Sequence, residues 1–283
     1  MMTMVSMEEI LSSIEEMPSW PVALRNVVRL TEDPNSDIKD LEREILKDQS
    51  LTTRVLKLSN SLHYGYPSKI GTVSQAVILL GFNTIKNIVL ASTVNTMYIK
   101  DLSAYGLKKE DLWKQSQSGA IIARFLAKKI KYKKVEEAYI AGLLRDIGKV
   151  ILDYHMKEDY REILEKIEQE KISFLQGEEA VLGFNHAEIG YRIAEKWNLP
   201  ESLREAIAYH HRPQEAKEYT ELVSLIHIAD AITMMLIENV GVEGLNYQFN
   251  PWALDHLGIT EKDLEEIIVE VSDLLVNEQG DVS

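Results

Sequence analysis

Histidines and aspartates in the second half of the chain are the residues whose types and spacing best suit chemistry. His186 is followed by the adjacent pair His210 and His211, and Asp230 lies just beyond them on a strongly apolar segment. Two imidazoles and one carboxylate, here His186, His210 and Asp146, are a ligand set that suits iron, manganese or zinc. The alternative is that His210 and His211, at a predicted helix end, are cap donors near the negative end of the helix dipole. The four remaining histidines are His63, His155, His227 and His256. Because His227 lies on an apolar segment, we interpret it as a hydrogen-bonded core residue rather than a ligand.

Asp146 is the second candidate, because it interrupts an apolar stretch, AGLLRDIGK at 141–149. A carboxylate buried there costs several kcal/mol unless it meets a cation or hydrogen-bond donors. Two kinds of partner satisfy that requirement. One is Arg145 or Lys149 on a neighbouring turn, and the other is a metal ion. The residues alone leave both open.

Composition excludes several classes of function. The chain has 283 residues, with 31 Lys and Arg against 45 Asp and Glu, giving a net charge of −14. That charge repels phosphate backbones, so broad nucleic-acid binding is not expected. There is no cysteine, which excludes disulfides, cysteine-ligated zinc, iron–sulfur clusters and thiol nucleophiles. The longest uncharged stretch, 70–85, is too short to cross a bilayer, and the first residues lack a basic signal region. We therefore expect a cytoplasmic protein without membrane contact.

The apolar residues recur with helical spacing along most of the chain, and alternating strand patterns are nearly absent. Helices must therefore position the candidate residues. The predicted fold class is all-α, with two helical lobes separated by a polar segment at 101–109. We predict an N-terminal lobe at 1–105, a helical-bundle lobe at 106–240 and a C-terminal extension at 241–283. The longer predicted helices span 110–130, 135–155, 160–171, 174–182, 186–197, 200–211 and 220–237.

A resemblance to a known family follows from several short motifs. The segment GLLRDIGK at 142–149 is similar to the HD-domain signature, in which His-Asp precedes Ile-Gly-Lys. Further motifs appear in the order typical of the HDOD family, which the chain resembles over residues 15–236. They are MPSWP at 17–21, DQSLT at 48–52, LSNS at 58–61, HAEIG at 186–190, WNLP at 197–200 and the His210-His211 pair. The tripeptide GYP at 65–67 lies far upstream of the signature, and we interpret it as a turn.

The resemblance implies a set of metal positions. HD proteins hold a divalent metal through an early His, the His-Asp pair and a late Asp, and those with two metals add further histidines. In this sequence the four main positions are Gln115, Arg145, Asp146 and Asp230. The additional histidines correspond to His186 and either His210 or His211, and Lys149 is a supporting residue.

Two of the four main positions therefore lack the expected histidine. Arginine offers no lone pair to a metal and keeps its positive charge. At about 4 Å and an effective dielectric of about 20, it repels a divalent ion by up to roughly 8 kcal/mol. We hypothesise that Arg145 itself neutralises Asp146 and Asp230, so that a salt-bridge network replaces the metal site.

The function implied by the resemblance is a non-catalytic signal-transduction module of bacteria that recognises another protein and needs no cofactor. The acidic surface favours a basic or neutral partner, and an oligomer is compatible with the sequence. The first alternative is a phosphohydrolase or phosphodiesterase that uses manganese, iron or zinc and acts on nucleotides or cyclic dinucleotides. Its site would comprise Asp146, His186, His210, His211 and Asp230. The second alternative is a sensor that binds a nucleotide without cleaving it.

Overall fold

The structure, a computed structural model, describes residues 6–16, 22–60, 69–156, 159–241, 244 and 249–279. The MPSWP motif, Ser61, His63 and the GYP tripeptide lie outside the described residues. The described part contains no β-strand, which confirms the all-α prediction. None of its helices is both long and apolar enough to cross a membrane.

Sixteen α-helices make up the described part of the chain. The first six are α1 (Met7–Glu16), α2 (Val22–Glu32), α3 (Ile38–Leu46), α4 (Gln49–Ser59), α5 (Val73–Leu80) and α6 (Phe82–Tyr98). The next five are α7 (Asp111–Lys129), α8 (Val135–Leu144), α9 (Lys149–His155), α10 (Tyr160–Glu170) and α11 (Phe174–Leu182). The last five are α12 (His186–Lys196), α13 (Glu201–Tyr209), α14 (Thr220–Leu236), α15 (Pro251–Leu257) and α16 (Glu261–Gln279).

The chain divides into two compact units, Met1–Met17 with Tyr98–Val269, and Pro18–Met97 with Glu270–Ser283. In the second of these, α3 packs against α2, α4 and α5 around buried aliphatic side chains. Asn60 ends α4 there, and its side chain exchanges hydrogen bonds of 2.7 and 2.9 Å with the backbone of Ile70. This pairing closes the connection between α4 and α5.

The other unit contains all the candidate residues named above that the structure describes. Its centre is the group α7, α8 and α14, whose interior faces are almost entirely buried. Helix α1 packs against α9 and α12 in this unit, although the sequence analysis grouped it with the N-terminal helices. Lys196 on α12 contributes to that packing by donating a hydrogen bond of 2.6 Å to the carbonyl of Glu15.

The single helix predicted over 135–155 is wrong, because the structure breaks it into α8 and α9. The break is a series of turns over residues 145–148, which presents Arg145 and Asp146 to the centre of the unit. Gly148 lets this turn approach α12 closely. A Cβ at this residue would overlap the carbonyl oxygen of His186 and lie 2.7 Å from the amide nitrogen of Gly190. Only glycine permits this approach of the turn to α12.

Candidate functional site

The candidate site collects side chains from six parts of one unit. They come from α7 (Gln115), the 145–148 turn and the start of α9 (Arg145, Asp146, Lys149), α11 (Glu178), the start of α12 (His186), the end of α13 (His210, His211) and α14 (Asp230). Most of these side chains are fully buried, and His211 is half-buried. Only the family resemblance predicted that these segments lie close together, and no local sequence pattern did.

Arg145 lies between the two aspartates, as the salt-bridge hypothesis predicts. Its Nε donates a hydrogen bond of 2.6 Å to Oδ1 of Asp230 and lies 3.2 Å from Oδ2 of Asp146. Its Nη1 donates a further hydrogen bond of 2.7 Å to the carbonyl of Gly142. All three charged side chains are buried. A permanent cation therefore compensates the two carboxylates that the resemblance assigns to a metal.

Gly119 on α7 provides the space for this guanidinium. A Cβ at position 119 would overlap Nη1 of Arg145 and lie 2.8 Å from its Cζ. Gln115 is one helical turn earlier and fully buried, and its Nε2 donates a hydrogen bond of 2.8 Å to the carbonyl of Asn239. Its Oε1 accepts no hydrogen bond from the described residues. Gln115 is thus bonded to Asn239, and its one neutral oxygen is a weak substitute for an imidazole ligand.

Asp146 is stabilised mainly by ion pairs with two cations. Lys149 Nζ lies 2.8 Å from its Oδ1, and Arg145 faces its Oδ2. Neither carboxylate oxygen accepts a hydrogen bond of good geometry from the described residues, although both cations are close. Burial raises the pKa of Asp146, but Lys149 and Arg145 outweigh it and hold that pKa well below its usual value. The carboxyl group is therefore ionised at neutral pH.

Three imidazoles converge on the other side of Asp146. Nε2 of His186 lies 3.7 Å from Asp146 Oδ1, and Nε2 of His210 lies 3.8 Å from the same oxygen. His186 Nε2 is also 2.9 Å from Nε2 of His211. One ring nitrogen from each of the three histidines falls within 4.8 Å of the others. We call His186, His210 and His211 the histidine cluster.

His210 is in the form that binds metals. Its Nδ1 donates a hydrogen bond of 2.8 Å to the carbonyl of Ile207, so the lone pair is on Nε2. That Nε2 is buried and has no hydrogen-bond partner among the described residues. Burial, together with the neighbouring His211, holds the pKa of His210 well below its usual value, although Asp146 opposes the shift. The ring is therefore neutral, with a lone pair directed into the cluster.

Glu178 is a residue of this site that the sequence reasoning missed. It is fully buried on α11, and its Oε2 accepts hydrogen bonds from both the backbone N–H of His186, at 3.1 Å, and its Nδ1, at 2.7 Å. Its Oε1 accepts a hydrogen bond of 2.6 Å from the hydroxyl of Tyr105. The only signal in the sequence is the pair Glu178-Glu179 inside a helix that is otherwise largely apolar.

A cavity of about 260 Å³ adjoins the outer side of His211. Its walls come from α11, α12, α13 and the residues after α13, and they include Tyr191, Tyr209 and Glu188. Arg212 also lines the cavity and forms an ion pair with Glu179. The histidine cluster is therefore next to an opening, whereas Arg145 is not among the residues that line it.

The two sides of Asp146 differ in whether they fit a metal ion. The Arg145 side does not fit a metal ion, because the Arg145 cation lies between the two carboxylates. In addition, Gln115 stands where the resemblance expects the early histidine ligand. The histidine cluster does fit. Zinc–nitrogen bonds of about 2.0–2.1 Å separate tetrahedral ligand atoms by roughly 3.3 Å. Within the cluster, the Nε2 atoms of His186 and His211 are 2.9 Å apart, close to that value. The fit rests on the three imidazoles, because Asp146 Oδ1, 3.7 and 3.8 Å from His186 and His210, is already paired with Lys149 Nζ at 2.8 Å.

Comparison with known proteins supplies the family. A sequence profile of the HDOD domain matches residues 17–213. An HDOD domain protein of unknown function from Geobacter sulfurreducens is 26% identical, with a TM-score of 0.75 and coverage of 96% of this chain and 97% of its own. A Marinobacter aquaeolei protein, described as having a proposed role in signal transduction, is 21% identical, with a TM-score of 0.74 and coverage of 98% of this chain and 61% of its own. That second likeness shows the fold alone.

An uncharacterised protein from Treponema pallidum is 28% identical over 219 residues, which are 77% of this chain and 42% of that protein. The chain spans less than half the length of the curated relatives it matches. The profile match covers more than half of the chain, and the order of motifs and the helical architecture agree with it. The chain therefore belongs to the HDOD family.

Proposed function

We propose that this protein is a signal-transduction module that acts by binding another protein and does not hydrolyse phosphate esters at the HD position. The observation that supports this proposal is the place of Arg145, within 3.2 Å of both Asp146 and Asp230. An arginine cannot be deprotonated in a protein, so this cation persists at every physiological pH.

Hydrolysis by a metal-dependent HD protein needs a metal-bound water where Arg145 lies in this chain. Here the carboxylates that would ligate the metal are neutralised by Arg145 and, for Asp146, also by Lys149. We therefore propose that the chain acts by binding another protein. A net charge of −14 favours a basic or neutral partner, because complementary charge speeds association and like charge disfavours it.

The test of this proposal has an enzymatic arm and a binding arm. Purified protein is incubated with manganese and with nucleotides or cyclic dinucleotides, beside the variant Asp146→Asn. We expect the same background turnover from both. In the second arm, a protein co-purified from the source cells is itself purified and titrated with this chain, and we expect a complex that weakens as salt rises. Turnover that disappears in Asp146→Asn would overturn the proposal, and so would the absence of any complex between the purified components.

Nucleotide sensing without hydrolysis stays a prediction. Thermal-shift measurements with the same nucleotides test it, because a ligand that binds only the folded state raises the unfolding temperature.

A second candidate function is the binding of one divalent transition-metal ion by His186, His210 and His211. The observation that favours it is the buried Nε2 of His210, which has no hydrogen-bond partner among the described residues and faces its two neighbours. Neutral imidazoles suit zinc, iron and related ions. When bound, such an ion supplies Lewis acidity. The chain itself supplies three ring nitrogens and an adjoining cavity.

Equilibrium dialysis with zinc and cobalt tests this second candidate. We expect one ion per chain, and at least tenfold weaker binding in His210→Ala. His256→Ala is the matched control, because His256 is exposed on α15 and should leave binding unchanged. Binding that is equal in both variants, or no binding by the unmodified chain, would exclude the histidine cluster as a metal site.

A further inference from the structure

We infer that Glu178, supported by Tyr105, is a positioning residue that keeps the ring proton of His186 on Nδ1 and directs its Nε2 lone pair into the histidine cluster. The consequence for affinity rests on the metal binding proposed above, whereas the consequence for the His186 ring does not. The sequence motifs quoted above include neither residue.

One carboxylate oxygen of Glu178 binds both the backbone and the ring of His186. Oε2 of Glu178 accepts a hydrogen bond from the His186 backbone N–H at 3.1 Å and from its Nδ1 at 2.7 Å. A carboxylate can only accept, so Nδ1 must carry the hydrogen. Since the backbone and the ring are bound to the same oxygen, the start of α12 and the direction of the imidazole are fixed together.

Tyr105 fixes the carboxylate in turn. Its hydroxyl donates a hydrogen bond of 2.6 Å to Oε1 of Glu178. Its ring is edge-on to the His186 ring, with 6.3 Å between the two ring centroids. Tyr105 ends the short 3₁₀ helix Ser103–Tyr105, which is anchored by a hydrogen bond of 2.7 Å from Ala104 N to Asp153 Oδ1.

The pairing of Glu178 with His186 has the arrangement that tunes metal-binding histidines. A carboxylate behind the ring fixes its tautomer and orientation and makes the opposite nitrogen more basic, and its loss typically lowers metal affinity about 10- to 100-fold. A purely structural buried carboxylate predicts a different result. Its replacement would lower stability without changing which nitrogen of His186 carries the hydrogen.

The experiment compares the full chain with Glu178→Gln, Tyr105→Phe and Glu205→Gln. Glu205 is the matched control, because it is also buried but accepts hydrogen bonds from the backbone of residues 217–219 instead. Nitrogen-15 NMR of the histidine rings is recorded without metal, and zinc affinity is measured by competition with a chelator.

We expect His186 to be the Nδ1–H form in the unmodified chain and to gain Nε2–H form in Glu178→Gln. Zinc binding should weaken about 10- to 100-fold in that variant, weaken less in Tyr105→Phe, and stay unchanged in Glu205→Gln. If Glu178→Gln does not fold, Tyr105→Phe still tests the inference through both measurements. An Nε2–H form of His186 in the unmodified chain would overturn the inference. Unchanged zinc affinity in Glu178→Gln would do the same. If the unmodified chain binds no zinc, the metal proposal alone fails, and the NMR result still decides the role of Glu178.

Discussion

The two sides of Asp146 are built from opposite kinds of group. On one side, Arg145 brings a permanent charge to within 3.2 Å of two buried carboxylates, and Gly119 leaves space for it. On the other side, the histidine cluster brings ring nitrogens to within 4.8 Å of one another. Both carboxylate oxygens of Asp146 face a cation, Arg145 on the first side and Lys149 on the second. Only the second side also contains a lone pair, on His210, that nothing in the described part of the chain uses.

This difference separates a place that a guanidinium already occupies from a place where three ring nitrogens converge. A guanidinium and a divalent ion compete for the same place because both are cationic. His210, whose pKa burial and His211 hold well below its usual value, does not repel an ion in this way. The following three predictions test the contrast between the two sides.

Removal of the internal cation should have the largest effect. Arg145→Ala leaves Asp230 and one oxygen of Asp146 without their nearest cation, and breaking a buried ion pair from one side costs about 3–5 kcal/mol. Urea unfolding measures the free energy of unfolding. The matched control is Arg43→Ala, whose exposed ion pair with Asp40 is expected to be worth well under about 1 kcal/mol. Equal losses in the two variants would show that the buried pair does not stabilise this unit.

A methyl group at Gly119 should have an intermediate effect. The added Cβ overlaps the guanidinium of Arg145, so the ion pairs must shift, and overpacking of this kind costs about 1–3 kcal/mol. The control is Gly71→Ala, because the nearest atom to an added Cβ there is 4.0 Å away. We expect the same unfolding measurement to show little change for the control. A stable Gly119→Ala variant with unchanged unfolding would contradict the proposed fit between Gly119 and Arg145.

Acid should lower the free energy of unfolding gradually through buried neutral histidines, with the smallest expected change for each pH unit and each histidine. Burial lowers the pKa of His227 to about 4, and its two ring nitrogens are already used, by the carbonyl of His210 and the N–H of Asn250. The pKa of His210 is lowered in the same direction. Because both bases have a lower pKa folded than unfolded, stability is complete above about pH 6.5 and falls as the pH drops below it.

The expected slope is roughly 1 kcal/mol per pH unit for His227 between about pH 6.5 and 4.5, and His210 adds to it in the same direction. Asp146 does not contribute in this range, because its lowered pKa affects stability only below about pH 4. Unfolding free energies at a series of pH values measure the slope, and His227→Gln should make it shallower. A stability that stays constant from pH 7 to 5 would show that the buried histidines are not held neutral.

Several parts of the site were predictable from residue types. Asp146 had to meet a partner because a buried carboxylate without one is too costly, and the structure supplies both cations that the sequence offered, Arg145 and Lys149. His227 is the hydrogen-bonded core histidine that its apolar surroundings predicted. Helix α11 begins and ends at the predicted residues, with the capping box of Ser173 and Gln176 at its start and Gly183 after its end.

Other parts required contacts between distant segments. The break between α8 and α9 was missed because residues 135–155 have helical composition throughout, and the close approach of Gly148 to α12 is not visible in either segment alone. Glu178 was missed for the same reason, since its partners Tyr105 and His186 are 73 and 8 residues away. Neither spacing matches a local motif.

The sequence by itself determined the helical fold class, the acidic charge and the residue types available for chemistry, because these depend on composition and short-range periodicity. Only the tertiary structure decided which side of Asp146 faces Arg145, which nitrogen of each histidine is turned toward its neighbours, and which carboxylate orients His186. Those outcomes depend on distances between side chains from six separate segments. Close packing contributes to them at Gly119, which leaves space for Arg145, and at Gly148, which lets the turn approach α12, and both effects appear only once the helices are in contact.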